Sequence, residues 1–275
     1  MAKISSEDRH QYLERIKPYK ATIQSLLKRE KTVLQVIKRD SQGTAFKRLI
    51  LANEMIFLAS NYIVLGGVSQ AMLKLRNEEA LNDGRKSLYK AVIYLEEVVS
   101  PLVDAPFSEY EERLTEIDSI DARKRYNLIR KMGLALHLLK DAYGDNTKWK
   151  WAFVELEGRY AAVAKNIMNL KTAVVNTDPY SPDYEPTMYH LRLMKKLLLQ
   201  AADRYREKYE LSTNRIDDFK MGINFLNSLK RIHILLGERP DAETLKRKAD
   251  IWTSKLEVDM KKQEEAAQKR AYYGS

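Results

Sequence analysis

Residues 149–174 read WKWAFVELEGRYAAVAKNIMNLKTAV, and this stretch decides the fold. Its apolar side chains return at alternating steps of four and three residues. They form an unbroken stripe of Trp149, Phe153, Leu156, Tyr160, Val163, Ile167, Leu170 and Val174. A repeat of about 3.5 residues keeps one seam of a helix against a neighbour, as in helical bundles and coiled coils.

Two further segments carry the same spacing. One, broken only at Glu30, consists of Tyr12, Ile16, Tyr19, Ile23, Leu26, Val33 and Ile37. The other consists of Leu191, Met194, Leu198, Ala201 and Tyr205. Gly and Pro together number only 17 of 275 residues, so turns are few. The sequence predicts an all-α protein of about eight long antiparallel helices, in a multi-helix bundle or an extended helical stack.

The longest irregular stretch is NTDPYSPDYEP, from Asn176 to Pro186, with three prolines. It predicts an N-terminal helical bundle over residues 1–176 and a Pro-rich connecting loop over 177–186. A C-terminal helical part then covers 187–275 and packs on the first. A single-domain interpretation is also open.

Composition excludes several classes of protein. The chain has no cysteine, so disulfides, thiolate nucleophiles and zinc–thiolate sites are absent. The polar N-terminus lacks the apolar core of a secretory signal, and we expect a cytoplasmic protein.

The 19 residues from Met55 to Leu73 carry no charge and approach the length of a membrane span. Because this segment contains polar residues, a buried central helix is favoured over a span.

Charge is unevenly distributed along the chain, whose net charge is +10. Residues 1–48 hold 12 Lys/Arg against 5 Asp/Glu, and residues 122–150 hold 8 against 2. Residues 108–121 hold 6 acids against one Arg. If the two basic segments meet in space, they form one patch that attracts acidic or phosphate-rich partners. The alternative is that these charges lie on solvated helix faces and are partly paired with one another.

Motif searches favour a protein that is not an enzyme. The sequence has no glycine-rich nucleotide motif and no Gly-x-Ser-x-Gly elbow. The one Glu-x-x-His match, Glu7 to His10, lies at a polar terminus, and a di-metal bundle needs two such motifs. We therefore expect no cofactor, no metal and no catalytic residue. Glu54 and His233 remain open as functional or structural groups.

Aromatic residues beside cations are the candidate partner contacts. Trp149 and Trp151 point about 200° apart on a helix, so Trp151 leaves the buried stripe and stands between two lysines. Such rings suit protein hot spots or base stacking. The predicted contact residues are Lys148, Lys150, Trp151, Arg123, Lys124, Arg125, Tyr272 and Tyr273. The alternative for Trp151 is packing on a second neighbouring helix.

These observations predict a non-enzymatic scaffold that binds a protein partner, with self-association also open. An alternative is a basic helical protein that binds RNA or DNA through segments 1–48 and 122–150. A further alternative is binding to a membrane surface through the same charges.

Overall fold

Helices account for 83% of the chain in a computed structural model that describes residues 5–145 and 147–273. The α-helices are α1 Ser6–Arg39, α2 Thr44–Leu73, α3 Glu78–Val98, α4 Glu111–Thr115, α5 Ala122–Tyr143, α6 Lys150–Asn166, α7 Leu170–Val175, α8 Tyr184–Lys208, α9 Ile216–Leu235 and α10 Arg239–Tyr273. All but α4 and α7 are long, and no strand occurs within the described residues. The predicted all-α class and the count of about eight long helices are confirmed.

Successive long helices pack side by side and build an extended stack. Helix α1 packs on α2, α2 on α3 and α5, α6 on α8, α8 on α9, and α9 on α10. Between α3 and α6, Tyr89 reaches Ala152 and Glu96 reaches Arg159, so these two helices run in the same direction. The stripe-breaking Glu30 of α1 is buried and accepts hydrogen bonds from Tyr94 (2.6 Å) and Lys90 (2.8 Å) of α3.

Helix α6 lies at the centre of the stack and belongs to two cores. Its predicted stripe, including Phe153 and Tyr160, packs into a first core with α1, α2, α3 and α5. Its opposite side, including Val154 and Ala161, packs into a second core with α8, α9 and α10. A helix with apolar side chains on two sides can pack against neighbours on both. Helix α6 therefore joins the two halves of the molecule.

The end of α6 is fixed by side-chain hydrogen bonds with other segments. The stripe continues past residue 166, but the helix ends there and α7 begins after Asn169, whose side chain accepts from the backbone of Lys171 and Thr172. The last carbonyls of a helix lack partners within it. Here His190 of α8 lies 2.8 Å from the carbonyl of Ala164, and Asn166 donates to the carbonyl of Ser100 (2.8 Å).

The proline-rich segment forms a short, tied loop over residues 176–183. Ser181 donates to the side chain of Asn176 (2.8 Å) and to the carbonyl of Asp178 (2.9 Å). Helix α8 then returns along α6. The segment after the loop thus packs on the segment before it, with α6 contributing to both cores.

Candidate docking face

The predicted contact residues do not form one surface. Arg123, Lys124 and Arg125 lie at the start of α5, while Lys148, Lys150 and Trp151 follow its end. Since α5 spans 22 residues, about 32 Å separates these two groups along its axis. The side chains of Tyr272 and Tyr273 lie outside the described residues.

Arg125 is buried, which corrects its assignment to an exposed contact surface. It is 7% exposed. It donates to the carbonyls of Ile120 (2.9 Å), Ile117 (2.9 Å) and Ile167 (3.2 Å). Burial lowers the pKa of this guanidinium, and the nearby Asp118 opposes the shift. Arg125 therefore ties the start of α5 to the end of α6 and is not part of an exposed contact surface.

Several of the remaining predicted cations are paired within the chain. Arg123 bonds Glu185 (2.9 Å), Lys124 bonds Asp121 (2.9 Å), and Lys150 bonds Glu207 (3.0 Å). Internal pairing, the alternative considered for the basic segments, accounts for these three.

The two tryptophans lie on opposite sides of α6. Trp149 packs against the first core and Trp151 against the second, so the second-helix alternative for Trp151 holds. Lys150 lies 4.7 Å above the Trp151 ring, and the exposed Lys148 lies 5.4 Å from the Trp149 ring. Contact of these residues with a partner stays a prediction.

A line of exposed apolar side chains on α2 is the surface feature that the sequence prediction missed. It consists of Phe46, Ile50, Phe57 and Val64, with Phe57 53% exposed and Ile50 46% exposed. At 100° per residue these four positions fall within about 40° of one another, along about 27 Å of helix. Most other directions of α2 are buried against α1, α3 and α5. We call this line the α2 strip.

A groove of about 650 Å³ lies between the N-terminal half of the α2 strip and α5. Phe46 and Ile50 line it from α2, and Arg130 and Lys131 line it from α5. Lys131 donates to the side chain of Asn53 of α2 (3.3 Å). Leu134 and Leu138 of α5, one and two turns beyond Lys131, are also exposed. We call the α2 strip, this groove and the exposed Leu134 and Leu138 the docking face.

The docking face is basic as well as apolar. The sequence from 122 to 140 contains no acidic residue. Neither Arg130 nor Lys131 makes an ion pair with any described residue. Among the described residues that line the groove, Glu54 is the one acid. The face therefore offers apolar contact area beside uncompensated positive charge.

Glu54 lies at the edge of the groove and is largely neutralised. Its Oε1 lies 2.7 Å from Nε of Arg29, and its buried Oε2 accepts no hydrogen bond from the described residues. Burial raises the pKa of this carboxyl, and the charge of Arg29 opposes the rise. Arg29 is 60% exposed on the α1 side of the groove, where its charge is compensated by Glu54.

The chain is similar to a known protein family. A family model described as the TP0443 family matches residues 8–260. The chain belongs to the TP0443 family. No curated protein and no solved structure matches it. In this TP0443 family member, the matched range contains the whole docking face.

Helix α2 is long and apolar enough to cross a membrane by length and composition alone. In the folded TP0443 family member, 56% of its most apolar window is buried. Leu51, Met55 and Leu58 are almost fully enclosed by neighbouring helices. The structure therefore places this helix in the first core, as the sequence favoured.

The second residue left open by the sequence, His233, joins a small polar cluster between α9 and α10. Its Nδ1 lies 2.6 Å from Oε2 of Glu238 and 3.9 Å from Oδ2 of Asp241. Lys195 donates to both oxygens of Glu238 at 2.6 Å. An ammonium group so close to the central carboxylate competes with any cation, so this cluster is better described as an ion pair that joins α8 to the α9–α10 turn.

A second basic surface runs along one side of α1. The exposed lysines Lys20, Lys28, Lys31 and Lys38 recur at helical spacing and make no ion pair with any residue in the described ranges. Arg29, which faces the groove, points more than about 90° away from this row. The two basic segments therefore meet only in part: α1 reaches the groove through Arg29, and its lysine row is a separate surface.

Proposed function

We propose that this protein is a non-enzymatic docking module that binds a protein partner on the docking face. The observation that carries this proposal is the α2 strip, an uncharged line of exposed Phe, Ile and Val side chains that is interrupted by the polar Asn53. Exposed apolar surface of this kind marks interaction sites in proteins. Folding does not require it, because the opposite sides of α2 already fill the core.

The geometry favours a protein segment over a nucleic acid at this face. Nucleic acids are held by many cations that contact phosphates. The docking face has an apolar centre, with cations only at its edges. Helical partners lay an apolar face into such grooves through side chains spaced at three and four residues. The face therefore suits a helix of another protein.

The test is site-specific photo-crosslinking in native lysate. A benzoylphenylalanine at position 57 probes the docking face, and the same residue at position 251 is the control, since Ile251 is 68% exposed on the distant helix α10. We expect position 57 to capture one defined partner peptide that resists nuclease and is absent from the position 251 sample. Equal capture at both positions, or capture only of lipid or nucleic acid, would refute the proposal. Capture of this chain's own peptides would replace it with self-association.

A second candidate function rests on the lysine row of α1, which supports binding to RNA or DNA. The logarithm of the affinity for nucleic acid falls linearly with the logarithm of the salt concentration. Its slope is near one for each phosphate that the protein neutralises. The double variant Lys28→Glu/Lys31→Glu should lower both the affinity for duplex RNA or DNA and the salt slope. The matched control Lys220→Glu/Lys246→Glu changes two exposed lysines outside the row and should leave both unchanged. Equal losses in the two variants would show a non-specific charge effect.

A further inference from the structure

The width of the α2 strip limits what can occupy it. Helices α1 and α5 both pack on α2, and the strip covers only about 40° of the α2 surface. A single line of side chains is the contact that one helix makes with another through its i, i+4 and i+7 positions. At about 27 Å, the strip matches a partner helix of about 18 residues.

Charge on the α5 side of the groove specifies one flank of that helix. Arg130 and Lys131 stand there without an ion pair to any described residue, and Lys124 adds a cation that is partly compensated by Asp121. On the α1 side, Arg29 and Glu54 form an ion pair and compensate each other. A partner with acids on the flank that meets α5 gains attraction, and one with basic residues there is repelled.

We infer that the occupant of the docking face is an acidic amphipathic helix, with apolar residues along one line and Asp or Glu on the flank that meets Arg130 and Lys131. This inference rests on the proposed function and adds the chemistry of the partner. It also assigns specificity to Arg130 and Lys131, while Phe57 and Ile50 supply contact area whatever the partner's charge.

Three synthetic peptides of about 18 residues test the inference on the full-length protein. They share one apolar line of Leu and Phe and carry Glu, Gln or Lys at every flanking position. Fluorescence anisotropy should rank their affinities as Glu above Gln above Lys, with the differences shrinking as salt rises. The double variant Arg130→Glu/Lys131→Glu should weaken the Glu peptide about tenfold or more and strengthen the Lys peptide. The control Lys220→Glu/Lys246→Glu carries the same change in net charge and should alter neither.

The variant Phe57→Glu separates the two possible failures. If it leaves all peptide binding unchanged, the docking face is not the site and the proposed function fails. If it abolishes binding but the Glu and Lys peptides bind equally well, the face docks helices and the acidic partner is wrong. Absence of binding by all three peptides also overturns the acidic-helix inference. Circular dichroism melting of each variant confirms that it is folded.

Discussion

His190 gives the fold a specific weakness in mild acid. Its imidazole is buried, and its Nε2 lies 2.8 Å from the carbonyl of Ala164 at the end of α6. Burial lowers the pKa of His190 from 6.5 to about 4, with Arg125 adding to the shift and the carbonyl opposing it. The His190 imidazole is therefore neutral in the folded protein at pH values where the same imidazole is protonated in the unfolded chain.

The sign and size of the effect follow from linkage. Between pH 6.5 and about 4 the unfolded state binds more protons than the folded state, so stability is lost as pH falls through this window. At ~1.36 kcal/mol per pKa unit, the loss between about pH 7.5 and about pH 4.5 is about 2.5 kcal/mol. That is a large fraction of the roughly 5–15 kcal/mol that stabilises a typical protein.

Urea unfolding at a series of pH values measures this loss. Carboxylates also titrate in this range, so wild type is compared with His190→Gln, which keeps an N–H donor and does not titrate. We expect the variant to lose about 2.5 kcal/mol less than wild type over the same range. The control His137→Gln removes an exposed imidazole and should follow wild type. Parallel pH curves for wild type and His190→Gln, or an NMR titration of His190 near its ordinary pKa, would refute the reasoning.

Three further outcomes are expected. Burial lowers the pKa of Lys165 to about 8. Above that pH, Lys165 therefore binds more protons in the unfolded state than in the folded state. The free energy of unfolding of wild type relative to Lys165→Met should thus rise by up to ~1.4 kcal/mol per unit between about pH 8 and 10, and a constant difference would contradict it. Gly158→Ala would place a Cβ 2.5 Å from the buried Tyr205 ring. This substitution should lower the free energy of unfolding, measured with urea, by about 1–3 kcal/mol. The control Gly67→Ala has open space around the added Cβ and should raise the free energy of unfolding by about 0.5–1 kcal/mol. Equal effects of the two substitutions would count against the packing argument. Phe57→Glu should change stability by less than about 0.5 kcal/mol, and a larger loss would mean that the α2 strip belongs to the core.

Periodicity was enough to predict the helices and the buried stripe of α6. The angle of about 200° between Trp149 and Trp151 placed Trp151 outside that stripe but left two possibilities, a partner contact or packing on a second helix. In the structure the two rings pack against different cores, as in the second possibility. A local pattern suffices for the stripe because its signal comes from a single helix.

The functions of the charged and apolar surfaces depend on contacts distant in sequence. Arg125 looks like part of an exposed basic triplet, but one of its acceptors, the carbonyl of Ile167, lies 42 residues away. The uncharged run in α2 indicates burial, yet which strip stays exposed depends on where α1 and α5 pack. A sequence signal for the strip does exist. Phe46, Ile50, Phe57 and Val64 recur at steps of four and seven, on a line separate from the positions that face the core.

The exposed α2 strip and the net charge of the chain together favour a different protein as the partner over a second copy. An apolar strip of this length on its own would promote association between identical molecules. Two docking faces brought together would bring two copies of Arg130 and Lys131 into one interface, and the chain carries a net charge of +10. Like charges across an interface are unfavourable, and a high net charge keeps proteins monomeric. The same cations that repel a second copy attract an acidic helix, so the positive charge beside the strip excludes one class of partner and selects the other.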